Sequence, residues 1–145
     1  MTLGVRQTIA NAFLSKIEQG YLDNPYHNKA HAADVTHSVH FLLEHLRLRD
    51  DLAVHLYFAT LVGAVVHDFK HPGRNNTFLA AVSDDEAIRF SDDSVNERMH
   101  LAEVFKVRLE VTTTLSILLS LLYEYSSFVR FLFFCLFTIL SCSFF

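Results

Sequence analysis

Histidine is concentrated in one part of this chain. Eight of its nine histidines lie between His27 and His71. Two pairs, His27 with His31 and His67 with His71, are spaced four residues apart, and Asp68 directly follows His67. Residues four apart share one face of a helix, so each pair can direct two imidazoles at one point. Imidazole and carboxylate together bind divalent metal ions, and the pattern therefore predicts a metal site.

Two helices are predicted around the first histidine pair. Ile9, Phe13 and Ile17 recur every four residues and predict a first amphipathic helix that ends near Gly20. Asn28 is a suitable N-cap for a second helix, because its side chain can accept hydrogen bonds from the first turn. The apolar stripe of this second helix consists of Val35, Val39, Leu42 and Leu46.

The second histidine pair lies at the end of a third predicted helix. Asp50 is its predicted N-cap, and the helix should run from about residue 51 to residue 70. Pro72 and Gly73 oppose helical geometry and should end it there. Nearly every position from 52 to 66 is apolar, so we expect this helix to be buried almost all round.

The remaining residues before position 110 also favour helices. Ser83 with Glu86, and Ser94 with Glu97, have the spacing of capping boxes, in which a hydroxyl and a carboxylate three residues apart start a helix. No alternation of period two competes with the helical pattern. The sequence therefore predicts an all-α chain through Leu109.

Composition limits the class of protein. The 145 residues suffice for one domain of ordinary size, and 51% hydrophobic residues exclude a disordered chain. A net charge of -4 argues against a nucleic acid partner. Cys135 and Cys142 do not form a disulfide framework, and Arg6, Lys16 and Glu18 interrupt any signal peptide. We expect a cytoplasmic location.

A boundary is predicted near residue 110. From residue 111 to the end, Glu124 and Arg130 are the only charged residues, and we interpret residues 110–145 as a divergent hydrophobic tail. The first interpretation of this tail is an artefact of the gene model, from intron read-through or a frameshift. The second is a membrane anchor over residues 125–145, since a spanning helix needs about 20 apolar residues. The third is a buried core helix.

Two motifs connect the histidine pairs to a known family. They are Y-H-N-x-x-H-A-x-D-V, which begins at Tyr26, and H-D-x-x-H-P-G-x-x-N, which begins at His67. In these motifs the chain resembles the class I cyclic nucleotide phosphodiesterases, metal-dependent HD-type hydrolases of cAMP and cGMP. The resemblance covers about residues 1–109. It implies the N-terminal portion of the family's all-α catalytic domain, a helical bundle that is truncated here.

The resemblance implies two divalent metal ions. His31, His67 and Asp68 match family ligands of a tightly held ion, usually Zn²⁺, and Asp68 also matches the bridge to a second ion, usually Mg²⁺ or otherwise Mn²⁺. Together the ions would polarise a cyclic phosphate and activate a water. Phe69 and Lys70 depart from the usual H-D-x-D-H form, and Lys70 adds positive charge nearby.

The resemblance also implies catalytic and substrate-contacting residues. His27 matches the family's general acid, and imidazole is well suited to proton transfer near neutral pH. Glu97 lies in a segment that supports the acid and the water network, although Arg98-Met99 replace the usual Asn-His. The residues implied to line the pocket, phosphate or metal-water region are Tyr26, His71, Asn76 and His100. The residues that match no required position are His37, His40, His45 and His55.

The function implied is hydrolysis of the 3′,5′-cyclic phosphate of cAMP or cGMP to the 5′-monophosphate, in cyclic nucleotide signalling. The family's fourth ligand, an aspartate, and its purine-binding glutamine are expected beyond the end of this chain. One alternative is therefore a non-catalytic metal-binding or regulatory fragment, with possible membrane association through residues 125–145. Another is an HD-type hydrolase of other nucleotides. The residues present select neither cAMP nor cGMP, and they leave the oligomeric state open.

Overall fold

The structure, a computed structural model, describes residues 4–111. This part of the chain holds seven helices and no strand, as the all-α prediction requires. The predicted tail lies outside the described residues from position 112 onward. The helices are α1 (Gln7–Gly20), α2 (Lys29–His45), α3 (Leu48–Asp51), α4 (Val54–Val66), α5 (Asn76–Ala81), α6 (Asp85–Arg89) and α7 (Val95–Val111).

The first and last helices form the main hydrophobic core. Ile9, Phe13 and Ile17 are buried on one face of α1, which confirms the predicted stripe and its end at Gly20. They pack against Val104 and Val107 of α7, with Val66 and Phe69 completing the cluster. Phe69 is fully buried, so the turn that follows α4 is anchored in this core.

Helix α2 begins where the sequence predicts. The Asn28 side chain accepts hydrogen bonds from the backbone N–H groups of Ala30 and His31, which confirms the predicted cap. The predicted stripe is wrong at its end, because α2 stops at His45 and Leu46 is 58% exposed. The buried positions of α2 are Ala32, Val39 and Leu43.

The predicted third helix is two helices. Asp50 lies inside the short α3, and the chain is extended at Leu52 before α4 begins. The break is stabilised by tertiary packing, since Leu48 and Leu52 both contact the cluster formed by Val39, Leu43 and Ala64. Helix α4 then ends at Val66, four residues earlier than predicted, and residues 67–70 form a turn. Burial of α4 is complete on one face only, at Ala59, Thr60, Gly63, Ala64 and Val66, and its other residues are partly or fully exposed.

Both predicted capping boxes are wrong in their cap residue. Asp84, and not Ser83, accepts the hydrogen bond from Glu86 N at the start of α6. Ser83 and Ser94 both have positive φ values, which differ from the extended conformation of an N-cap. At the start of α7 the side chain of Asn76 takes the capping role, since its Oδ1 accepts from Asn96 N at 2.9 Å.

None of the described helices combines the length and apolar character that a membrane crossing requires. Four places in the fold carry the predicted site residues: the segment that leads into α2, the turn after α4, the start of α5, and the first two turns of α7. The packing of α2 and α7 against α4 brings the first, second and last of these places together.

Candidate metal centre

Three side-chain atoms form a compact triangle between α2 and the turn after α4. His67 Nε2 lies 3.0 Å from Asp68 Oδ2, and His31 Nε2 lies 3.4 Å from the same oxygen. The two Nε2 atoms are 3.3 Å apart. Ligands of a tetrahedral metal with bonds of 2.0–2.1 Å are separated by about 3.3 Å. The triangle therefore has the dimensions of one face of a tetrahedral metal site, and its residues can hold a metal ion.

Backbone carbonyls orient two of the histidines toward Asp68. His67 Nδ1 lies 2.9 Å from Ala64 O, and His100 Nδ1 lies 2.7 Å from Phe69 O. A carbonyl accepts only, so both Nδ1 atoms carry the proton and both Nε2 atoms present a lone pair in the neutral ring. His100 Nε2 is 3.8 Å from Asp68 Oδ1, the carboxylate oxygen that the triangle does not use.

The electrostatics of the cluster favour a cation at the triangle. Burial acts to raise the pKa of Asp68, but hydrogen bonding and charge from His67 outweigh it and lower the pKa to about 2. Burial acts to lower the pKa of His67, and the partnership with Asp68 raises it nevertheless. Burial, followed by the charge of His67, lowers the pKa of His31. A proton on His67 therefore stabilises the triangle when no metal is bound.

A second group of possible metal ligands shares Asp68 with His71 and His100. His71 Nδ1 accepts a hydrogen bond from Gly73 N at 3.0 Å. Burial lowers the pKa of His71 to about 4, so the ring is neutral at pH 7 and its proton is on Nε2. His71 thus offers an N–H donor rather than a lone pair. It can donate to a phosphate oxygen or a water, while Asp68 and His100 keep lone pairs for a cation.

His27 and Tyr26 lie at the exposed edge of the cluster. The His27 ring stacks on His71 with centroids 3.8 Å apart, and lies 6.0 Å from the His31 ring. Tyr26 is 59% exposed, and its ring lies 4.4 Å from that of His31. The structure therefore places the predicted general acid beside the triangle and outside it.

Asn76 and Glu97 belong to neither group of possible metal ligands, although the charge of Glu97 acts to raise the pKa values of His71 and His100. Asn76 Nδ2 donates to Glu97 Oε2 at 3.0 Å, while its Oδ1 accepts from Asn96 N. Glu97 is exposed in the first turn of α7 and belongs to neither group of possible ligands. Asn76 thus joins α5 to the start of α7, and the catalytic role of Glu97 stays a prediction.

One residue that holds the site together, Asn24, is not among the site residues predicted from the sequence. Asn24 Nδ2 donates to His71 O at 2.6 Å and to His27 O at 3.3 Å, so it joins the loops that carry these two histidines. Gly73, at φ 73°, is needed beside it, because a Cβ there would lie 2.9 Å from Asn24 Oδ1. No local sequence pattern indicates this role, since the hydrogen bond to His71 spans 47 residues.

Comparison with known proteins connects this geometry to a family. The sequence model described as 3′5′-cyclic nucleotide phosphodiesterase matches residues 26–140. The chain belongs to this family. It is 39% identical over 105 residues to the probable 3′,5′-cyclic phosphodiesterase pde-1 of Caenorhabditis elegans, which covers 71% of the chain and 16% of that protein.

The chain is also similar to two mammalian cyclic nucleotide phosphodiesterases. The chain is 37% identical over 105 residues to the high affinity cAMP-specific and IBMX-insensitive 3′,5′-cyclic phosphodiesterase 8A of Mus musculus, covering 72% of the chain and 13% of that protein. It is 38% identical over 112 residues to the dual specificity calcium/calmodulin-dependent 3′,5′-cyclic nucleotide phosphodiesterase 1C of Homo sapiens. This match covers 76% of the chain and 16% of that protein. The chain therefore spans about a sixth or less of the length of these relatives.

Proposed function

We propose that this chain supplies the metal-binding and proton-donating part of an active site that hydrolyses the 3′,5′-cyclic phosphate of cAMP or cGMP to the 5′-monophosphate. The observation that carries the proposal is the triangle of His31, His67 and Asp68, in a member of the 3′,5′-cyclic nucleotide phosphodiesterase family. The names of the relatives, which include cAMP-specific and dual specificity enzymes, support a purine cyclic nucleotide as substrate.

Zn²⁺ is the ion that we propose for the triangle. Two imidazoles and one carboxylate form a donor set that zinc accepts readily, and catalytic zinc commonly has three protein ligands. Asp68 Oδ1, the oxygen that the triangle does not use, lies 3.8 Å from His100 Nε2, and we assign it to a second divalent ion. Bound ions of this kind supply Lewis acidity toward phosphoryl oxygens and lower the pKa of water.

The chain's own residues then handle the substrate and the protons. In hydrolysis, a water oxygen forms a bond to phosphorus while the bond from phosphorus to O3′ breaks, and O3′ must gain a proton. We assign that proton to His27, which is beside the triangle and partly exposed. The Nε2–H of His71 is placed to donate to a phosphate oxygen, and Tyr26 forms an outer wall next to His31.

The test is hydrolysis by the purified full chain. Chelator-treated protein would be assayed with cAMP and cGMP after addition of Zn²⁺, Mg²⁺ or Mn²⁺, and bound metal would be measured in parallel. We expect metal-dependent formation of the 5′-monophosphate that is lost in His31→Ala. His37→Ala is the matched control, because His37 is an exposed histidine of the same helix and belongs to neither group of possible ligands.

Two results would contradict the proposal in different ways. Bound metal without turnover would favour the alternative, a non-catalytic metal-binding fragment. Turnover that survives His31→Ala would show that the triangle is not the catalytic centre. Equal loss of activity in His37→Ala would indicate damage to α2 rather than loss of a ligand.

A further inference from the structure

The turn that carries Asp68 and His71 contains a strained residue. Lys70 has φ 59°, in the left-handed region, which is unfavourable for a residue other than glycine. Such a conformation persists only where surrounding contacts enforce it, and strained residues are frequent at functional sites. The contacts of Lys70 should therefore identify what holds the turn.

Lys70 is held by an ion pair with α7. Its Nζ lies 2.6 Å from Glu103 Oε2, and the Glu103 side chain is only 13% exposed. Glu103 also pairs with Lys106, one turn further along the same helix. The neighbouring Phe69 O accepts the hydrogen bond from His100 Nδ1. The turn is thus attached to α7 at two consecutive residues, and one of the two attachments is the ion pair.

The ion pair lies away from the metal-binding triangle. Lys70 and Glu103 line a separate cavity of about 380 Å³, together with Leu22, Pro72 and Met99, and none of the triangle residues lines it. Lys70 is therefore not placed to contact a substrate at the metal centre. Any effect that it has on the site must act through the backbone of the turn.

We propose that Lys70 is a positioning residue, whose ion pair with Glu103 holds the left-handed turn that directs Asp68 and His71 into the site. This inference rests on the proposed metal site. Without the ion pair, the backbone at Lys70 is released toward the less strained regions that other residues prefer. Asp68 is two residues away, and its contacts of 3.0 and 3.4 Å with the two histidines leave little tolerance for a shift.

Metal affinity tests the inference without requiring turnover. The probe is Co²⁺, with affinity measured by competition against a chromophoric chelator and geometry read from the visible absorption spectrum. Lys70→Met should weaken Co²⁺ binding by about 10-fold, as loss of residues that orient metal ligands does, and should alter the spectrum. Lys70→Arg keeps the charge and should restore both.

Lys106→Met is the matched control, because it removes the other lysine from the same carboxylate without touching the turn. Its Co²⁺ affinity should equal that of the unmodified chain. Glu103→Gln should reproduce the effect of Lys70→Met on Co²⁺ binding. The double variant should bind Co²⁺ no more weakly than either single variant, since both substitutions remove the same Lys70–Glu103 pair. If Lys70→Met fails to fold, Glu103→Gln provides the same comparison.

The outcomes separate the two proposals. Co²⁺ binding by the unmodified chain that is unchanged in Lys70→Met and Glu103→Gln would overturn the positioning role and leave the metal site standing. Equal weakening in Lys106→Met would also overturn it, since the effect would then belong to Glu103 packing in general. Failure of the unmodified chain to bind Co²⁺ would overturn the proposed metal site and this inference with it.

Discussion

The imidazole rings of His27 and His71 stack face to face, with centroids 3.8 Å apart and planes within 10° of parallel. Two cationic rings at this distance would repel each other, so the stack favours one charge at most. His71 is buried and accepts a hydrogen bond from Gly73, and both features favour its neutral form. A neutral His71 in this stack agrees with the proposal that His27, and not His71, is the proton donor.

The tautomer of His71 is the first prediction. At pH 7 the ring should be neutral with its proton on Nε2, because Nδ1 accepts from the Gly73 N–H and because burial lowers the pKa to about 4. Two-bond ¹⁵N–¹H correlation spectra of the imidazoles distinguish the two neutral tautomers directly. A proton on Nδ1 would contradict the arrangement of the 71–73 loop, and His37 provides an exposed reference ring in the same spectrum.

Metal binding should stabilise the fold, since a ligand that binds only the native state raises the free energy of unfolding. At a free Zn²⁺ concentration 100 times the Kd, the gain is about 2.7 kcal/mol. Asp68→Asn should abolish this gain, because Asp68 provides the only carboxylate of the triangle. Urea unfolding with Zn²⁺ and with a chelator measures the difference. The control His37→Ala should show the same stabilisation by Zn²⁺ as the unmodified chain. If Asp68→Asn also shows it, the ion binds at a site other than the triangle.

The stability of the chain should depend on the ionisation of Glu103. Partial burial acts to raise the pKa of Glu103, but hydrogen bonds from Lys106 and Lys70 outweigh it and lower the pKa. Folding lowers the pKa of this carboxyl below its unfolded value of 4.5, so its ionised form stabilises the fold above pH 4.5. The stabilisation is lost as the pH falls through the lower pKa of the folded state. Glu103→Gln should therefore cost about 1 kcal/mol at pH 7 and progressively less below pH 4.5.

Urea unfolding of both proteins between pH 3 and pH 7 measures this dependence. A cost that is the same at every pH would show that Glu103 stabilises the fold by packing and not by charge. Lys106→Met separates the two lysines, since it removes the exposed partner and leaves the pair with Lys70 in place.

The parts of this fold that the sequence predicts are those governed by neighbouring residues. The Asn28 cap and the α1 stripe depend on local helix geometry. Helix spacing does not pair the imidazoles, because His27 precedes α2, and His67 and His71 both follow α4. His31 and His67 are 36 residues apart, and spacing alone did not place them together. Only the resemblance of both motifs to one family predicts that His31 and His67 share a metal site. In the structure their Nε2 atoms are 3.3 Å apart.

The errors arise where distant residues decide the local structure. The break at Leu52 depends on packing against α2, which a continuous apolar run cannot reveal. Asn76 takes over the cap that Ser94 was predicted to provide, from a position 20 residues before Asn96. Asn24 likewise acts on a carbonyl 47 residues away. In each case a side chain packs against, or hydrogen-bonds to, a residue of another element. The spacing of residues along the chain does not reveal such contacts.

Gly20 gives the last prediction, because it allows Phe69 to approach α1. A Cβ at this position would lie 2.5 Å from both Cε2 and Cζ of the Phe69 ring, which is fully buried and cannot move into solvent. Gly20→Ala should therefore destabilise the fold by about 1–3 kcal/mol from overpacking. This exceeds the gain of roughly 0.5–1 kcal/mol that alanine brings to a helix.

The destabilisation by Gly20→Ala should come from a clash with the Phe69 ring, so the smaller side chain in Phe69→Leu should reduce it. The double variant Gly20→Ala/Phe69→Leu should be more stable than the sum of the two single effects predicts, as measured by urea unfolding. Displacement of Phe69 should also disturb its carbonyl, which orients His100, and hence reduce metal affinity in Gly20→Ala. A Gly20→Ala protein more stable than the unmodified chain would contradict the close approach of the ring to α1.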